Sequence, residues 1–230
     1  MRIECNNLSY TYPGSKKAVI NDLCFSMENP GFNALFGPSG VGKTSLAKLI
    51  ASPGDRLGQQ IITQDIKIIL YSYNLERLPG WSSTGKHLDK VTPKGKEYLK
   101  ETLVDIFELK DVLTSRFSKL SMGQQNRINL IRYLLQDFDL LIMDESLANV
   151  DEKLRQAIVL AIKELFKDKM FLYISHNLME VSKFCSQILV FGKSPFANAF
   201  FMVTGQDHKS NKALKKKDLD KTMLEIMNAV

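Results

Sequence analysis

Residues 37–44 read Gly-Pro-Ser-Gly-Val-Gly-Lys-Thr, and a second hydroxyl, Ser45, follows directly. The pattern is G-x-x-x-x-G-K-[ST]. An apolar run from Phe32 to Phe36 leads in, and a helical spacing of Leu46, Ala47, Leu49 and Ile50 leads out. Strand, glycine loop and helix in that order are the context a phosphate-binding loop requires. Gly37, Gly40 and Gly42, with Pro38, Ser39 and Val41 between them, let backbone N–H groups curl around phosphate oxygens without Cβ clashes. The helix N-terminus adds partial positive charge. Lys43 is placed to reach the β- and γ-phosphates of a nucleotide, and the Thr44 hydroxyl to ligate Mg²⁺. The loop predicts an α/β fold with a P-loop core.

Downstream, Leu140 to Glu145 (LLIMDE) makes a buried parallel strand ending in two carboxylates. Ligands of open α/β sheets sit at the carboxyl ends of strands. Asp144 there can hold the water shell of Mg²⁺ opposite Thr44, and Glu145 can orient and deprotonate an attacking water. Adjacent acids repel one another, and a bound cation removes that cost. Asp151 caps a strong helix, a role sufficient by itself to explain it. Met170–Ile174 is another buried strand, ending in Ser175-His176-Asn177. His176 lies at the same sheet edge as Glu145 and is expected to contact a γ-phosphate. Asn177 to Glu180 has capping-box spacing.

Upstream, residues 1–28 alternate as short strands, with Tyr12 just before the Pro13-Gly14 turn. An antiparallel sheet therefore precedes the loop. Tyr12 can stack on a base or cap the sheet, and both readings stand. Ser52-Pro53-Gly54 breaks the chain after the helix of residues 44–51. Ile66–Tyr71 is a buried-strand candidate. Thr92-Pro93 is expected to cap and open a helix with Leu99, Leu103, Ile106 and Phe107 on one stripe. Residues 74–138 thus read as an inserted helical lobe. It closes with LSMGQQNR, Leu120–Arg127, which opens a helix. Ser121 and Gly123 at that helix start could bind an anion, but a plain N-cap is the better reading of Ser121. Later elements are a strand at Ile188–Phe191, a piece at Ala199–Val203, and an amphipathic helix over 214–229 bearing Leu219, Met223 and Ile226.

Composition bounds the rest. The chain has 230 residues, 44% hydrophobic and 24% charged, with net charge +6. No apolar run approaches the ~18–20 residues that span a bilayer. MRIECNNLSY lacks a signal-peptide core, which predicts a cytoplasmic protein. Cys5, Cys24 and Cys185 are scattered and read as reduced core thiols. Lys209, Lys212, Lys215, Lys216 and Lys217 fit a nucleic-acid or anionic-membrane partner, but no aromatics interleave, so a solvated surface is the simpler reading.

Together these motifs resemble the ATP-binding subunit of ABC transporters along nearly the whole chain. GPSGVGKT with Ser45 resembles the family's Walker A, and LLIMDE its Walker B with the catalytic glutamate. Ala148-Asn149-Val150-Asp151 resembles the D-loop, His176 the switch histidine, and Tyr12 the adenine-stacking aromatic. Leu120-Ser121-Met122-Gly123-Gln124 resembles the signature L-S-G-G-Q. The resemblance implies a RecA-like P-loop NTPase core with an N-terminal antiparallel subdomain and the helical insert, over residues 1–230. It implies ATP and Mg²⁺ as ligands, with Glu145 and His176 catalytic. It also implies head-to-tail pairing of two subunits, in which Ser121, Gly123 and Gln124 complete the partner's site.

Two positions depart from the family pattern. Met122 stands where the family has its first signature glycine. Ser72, Tyr73 and Asn74 stand where a glutamine touching Mg²⁺ and sensing the permease is expected, with Asn74 the candidate substitute. The loop ERLPGW (residues 76–81) resembles importer ATPases of the nitrate, sulfonate, taurine and thiamine-precursor group. The expectation is a peripheral subunit on the cytoplasmic face of the inner membrane. It would form a homodimer, bind transmembrane permease subunits, act indirectly with a solute-binding protein, and bind no nucleic acid. The rivals are a soluble ABC-type ATPase acting on nucleic acid or ribosomes, and a degenerate, non-hydrolysing regulatory subunit.

Overall fold

The strand before the glycine loop, β3 (Gly31–Phe36), lies inside a six-stranded sheet. The computed structural model describes residues 1–52, 59–74, 76–78, 82–193, 198–210 and 214–230. The sheet order is β5 (Ile69–Tyr73), β6 (Leu140–Asp144), β7 (Met170–Ile174), β3, β8 (Gln187–Lys193) and β9 (Asn198–Thr204). All pairs are parallel except β8 with β9. β6 and β7 are buried along their full length, as expected of parallel strands covered on both faces. Their apolar runs, LLIM and MFLYI, therefore need no alternation.

A smaller antiparallel sheet joins β1 (Arg2–Tyr10) to β2 (Ile20–Glu28) on one side and to β4 (Ile61–Gln64) on the other. It bears out the expected N-terminal antiparallel sheet. Its apolar face shares a core with α1 (Lys43–Ala51) and with one face of the large sheet, through Ile3, Leu23, Met27, Leu46, Ile50 and Leu172. The opposite face packs Phe32, Phe171, Leu141 and Tyr173 against helical residues such as Leu134, Ile158 and Phe184. Those helices are α4 (Met122–Leu134), α5 (Glu152–Leu165) and α6 (Leu178–Phe184).

The regular elements described between β5 and β6 are helical, as the insert reading expected: α2 (Thr84–Val91), α3 (Glu97–Ile106), two short 3₁₀ turns, and α4. Two boundaries differ from expectation. Thr92 does not open a helix. It ends α2, its hydroxyl donating to Leu88 O at 2.7 Å, and α3 starts at Glu97. Proline after a helix stop is the commoner arrangement, because proline has no N–H to continue the ladder. The strand expected at Ile66–Tyr71 instead spans Ile69–Tyr73 and is only half-buried, because it forms the sheet's edge. The final helix, α7 (Lys216–Ala229), turns Leu219, Thr222 and Ile226 inward, with Met223 half-buried. Cys5 and Cys185 are buried free thiols, whereas Cys24 is exposed. Pro53-Gly54, Pro79-Gly80-Trp81, Lys212 and Ser194–Ala197 lie outside the described residues.

Candidate nucleotide site

The C-terminal ends of β3, β6 and β7 lie side by side, and three loops leave the sheet there. The first loop carries residues 37–42 into α1. Gly42 caps that helix with φ 108°, a left-handed backbone that a side chain would strain. Leu46 N–H to Gly42 O (2.8 Å) closes the first turn, so the N–H groups before it have no intrahelical acceptor. The Lys43 ammonium is buried in the loop and donates to Gly37 O (2.8 Å) and Pro38 O (2.6 Å). Burial lowers its pKa, while the carboxylates of Glu145 and Asp144 pull it up.

The second loop follows β6. Asp144 Oδ2 accepts from Thr44 Oγ1 at 2.9 Å, bringing the two expected metal-site residues together. Glu145 takes φ 53°, a left-handed conformation for a non-glycine residue that turns its side chain out of the strand. Its Oε1 meets Nε2 of His176, from the loop after β7, at 2.5 Å. The imidazole donates here, since a carboxylate only accepts.

The His176 turn is itself braced. Asn177 N–H donates to Ser175 Oγ (3.1 Å), and Ser175 Oγ donates to the buried Glu180 (3.3 Å). Glu180 also accepts from Tyr173 OH at 3.0 Å and pairs with Arg155 of α5. The expected capping box is therefore half made: Asn177 accepts from Glu180 N–H, but the Glu180 carboxylate is spent on the core.

Tyr12, Ser39, Gly40, Lys43, Thr44, Ser45, Glu145 and His176 line one cleft of about 380 Å³, with Gly42 and hydrophobic Val19 and Ile174. Tyr12 donates to or accepts from Ser45 Oγ at 2.8 Å, and the residue is 43% exposed. Val41, half-buried, packs against the core beneath. Ser121, Gly123 and Gln124 do not line this cleft. Ser121 and Gln124 instead form a full capping box at the start of α4. Met122 opens that helix and is 47% exposed, beside the exposed Ser121. Gly123 sits so close to the loop after β6 that a Cβ would lie 2.2 Å from Asn149 O.

The residues present fit a divalent cation. Thr44 supplies a hydroxyl and Asp144 a carboxylate whose Oδ1 accepts no hydrogen bond among the described residues. Mg²⁺ commonly takes one or two carboxylates from the protein, the rest coming from phosphates and water.

Asn74 is the expectation the geometry corrects. Its amide oxygen accepts from Asn126 Nδ2 of α4 at 2.8 Å, and its N–H donates to Asp144 O at 3.1 Å. The amide oxygen is thus engaged by the helical lobe, although the residue borders the same cavity as Thr44 and Asp144. Tyr71, whose apolar-run context marks it only as a strand residue, donates to Asp144 Oδ2 at 2.5 Å. Burial, then that hydrogen bond, raises its pKa well above the phenol range, so the hydroxyl stays a donor.

A family model described as "ABC transporter" matches residues 20–148, more than half of the chain. The sn-glycerol-3-phosphate import ATP-binding protein UgpC of Chromobacterium violaceum is 26% identical over 215 residues, covering 84% of this chain and 56% of that protein. An ATP-dependent lipid A-core flippase of Pseudomonas fluorescens is 27% identical over 213 residues, covering 79% of this chain and 34% of the flippase. The chain thus spans about half or less of the length of these curated relatives. Among solved structures, a bacterial Atm1-family ABC exporter with ATP bound superposes with TM-score 0.69 at 18% identity, over 82% of this chain and 37% of the exporter chain. An ABC transporter in an inward-facing conformation superposes with TM-score 0.67 at 19% identity, over 88% of this chain and 82% of that one. At such identities the superpositions show the fold.

Proposed function

The chain belongs to the ABC transporter family, as its ATP-binding domain, and from that premise we propose that it binds and hydrolyses ATP to power transport through separate transmembrane subunits. The observation that carries this reading is the convergence of Lys43, Thr44, Asp144, Glu145 and His176 on one sheet edge, from three loops distant in sequence. Lys43 and the loop N–H groups hold the phosphates, and Tyr12 offers a ring to the base. Thr44 and Asp144 would hold Mg²⁺, which would supply charge neutralisation to the phosphates. Glu145 serves as the base for the attacking water, and His176 contacts the γ-phosphate and holds the Glu145 carboxylate in place. Catalysis is positioning plus charge stabilisation. Ser121, Gly123 and Gln124, absent from their own chain's cleft, complete the site of a second copy.

The import direction has narrower support. A relative named as an import ATP-binding protein and relatives named as flippases both match. Favouring import is the ERLPGW stretch, whose Pro79, Gly80 and Trp81 lie outside the described residues. Among the described residues no helix is long and apolar enough to cross a membrane. That agrees with a subunit docked on the cytoplasmic face of a separate permease, served indirectly by a solute-binding protein. A regulatory, non-hydrolysing subunit is the second reading, favoured by the exposed Met122 and the diverted Asn74. Mg²⁺-dependent ATP turnover by the assembled complex excludes it.

The test of the main reading is Glu145→Gln, assayed for ATP binding and turnover together. Binding is expected to persist while turnover falls by about 10²–10⁴-fold, the usual contribution of a general base. Turnover at the parent's rate overturns the assignment of the base.

A further inference from the structure

Two hydroxyls converge on one oxygen of Asp144. Thr44 Oγ1 reaches Oδ2 from α1, and Tyr71 OH reaches the same atom from β5 at 2.5 Å. Tyr71 stands on the edge strand opposite Ile142, two positions before the Tyr73–Asp144 pair in the parallel register. Its hydroxyl borders a cavity of about 640 Å³, walled by Lys48, Tyr73 and Asn74, that adjoins the phosphate cleft through Thr44 and Glu145.

The segment after β5 borders that cavity through Asn74, but its polar groups are held by α4. Asn126 holds the Asn74 amide oxygen. Further along the same helix, Asn129 Nδ2 donates to Glu76 O (2.8 Å), Arg132 to the Glu76 carboxylate (3.1 Å), and Tyr133 OH to its other oxygen (2.9 Å). Positions 126, 129 and 133 lie on one face of α4 at helical spacing. Four side chains thus tie this segment to the helix that begins with Met122, and among the described residues no amide from it hydrogen-bonds to the Asp144 carboxylate.

We infer that Tyr71 is a positioning residue for the divalent cation: its hydroxyl fixes the rotamer of Asp144 and presents Oδ1 to the metal's water shell. The inference rests on the ATP-site reading above. A carboxylate held on one oxygen by two donors loses its freedom to rotate before the metal arrives, so less order has to be imposed on binding. The aromatic ring packs on its own account, with Tyr73 at 6.1 Å. Removing the hydroxyl alone therefore separates positioning from packing.

The test uses the full chain carrying Glu145→Gln, with Mn²⁺ as the probe metal. The quantity read is the ratio of ATP affinity with Mn²⁺ to ATP affinity in EDTA. Tyr71→Phe is expected to lower that ratio by about 10–100-fold, the usual effect of losing such an outer contact, with ATP affinity in EDTA unchanged. Asn74→Ala is expected to leave the ratio where it was. An unaltered ratio in Tyr71→Phe, or a lowered one in Asn74→Ala, overturns the inference. Should Tyr71→Phe fail to fold, Tyr71→Leu, which also lacks the hydroxyl, is read in its place, with the same lowered ratio expected and an unaltered one overturning the inference. A parent chain that binds no ATP in either condition overturns the functional reading instead.

Discussion

Gly123 shows how tightly single atoms govern this site. Its missing Cβ leaves 2.2 Å to Asn149 O, and Asn149 itself takes φ 61°, so the start of α4 rests on a turn already in a left-handed conformation. The obstructing atom is backbone and cannot swing aside. Gly123→Ala is expected to cost about 1–3 kcal/mol by overpacking, measured as a lower thermal unfolding midpoint. It is also expected to displace the loop that carries Glu145. Lys43, Thr44, Asp144, Glu145 and His176 were legible because each stands at a strand end or in a glycine loop that pattern alone locates. Tyr71 and Glu76 were not legible. Their partners are far off in sequence, and only the placement of β5 against β6 and α4 reveals what they touch.

At the scale of elements, Asp139 fastens the edge strand to the centre. Its Oδ2 accepts from Lys67 N (2.7 Å) and Ile68 N (3.0 Å), at the lead-in to β5. Those two backbone hydrogen bonds, Ile68 first, hold its carboxyl below the usual range. The unfolded chain, with an aspartate value near ~3.9, therefore takes up its proton at higher pH than the folded one. The stability so gained is fully present above about pH 4 and is lost as pH falls through the depressed folded value. Asp139→Asn is expected to be less stable than the parent at about pH 7 in urea unfolding, and the two are expected to converge by about pH 2. The strands were readable from apolar runs and alternation, whereas α2 was not. It buries only Thr84 and Leu88, so no apolar stripe announces it, and its cap Ser83 sits in a turn-rich segment. β4 was missed for a related reason: four residues gain their identity only from pairing with β1.

At the scale of the whole molecule, one sheet separates two cores, and the catalytic candidates gather on a single edge of it. Ser121 and Gly123 lie outside that cleft, on a helix tied to the segment after β5 by Asn126, Asn129, Arg132 and Tyr133. On the strength of the family to which the chain belongs, we propose that residues 37–45 are half a site and that another copy's Ser121 completes it. Sedimentation velocity of Glu145→Gln with saturating Mg²⁺ and ATP, alone and combined with Ser121→Arg, tests it most directly. The single variant is expected to sediment as a dimer with ATP and as a monomer without it. The double variant is expected to stay monomeric while still binding ATP. A single variant that remains monomeric at saturating ATP, or a double variant that still dimerises, would contradict the claim.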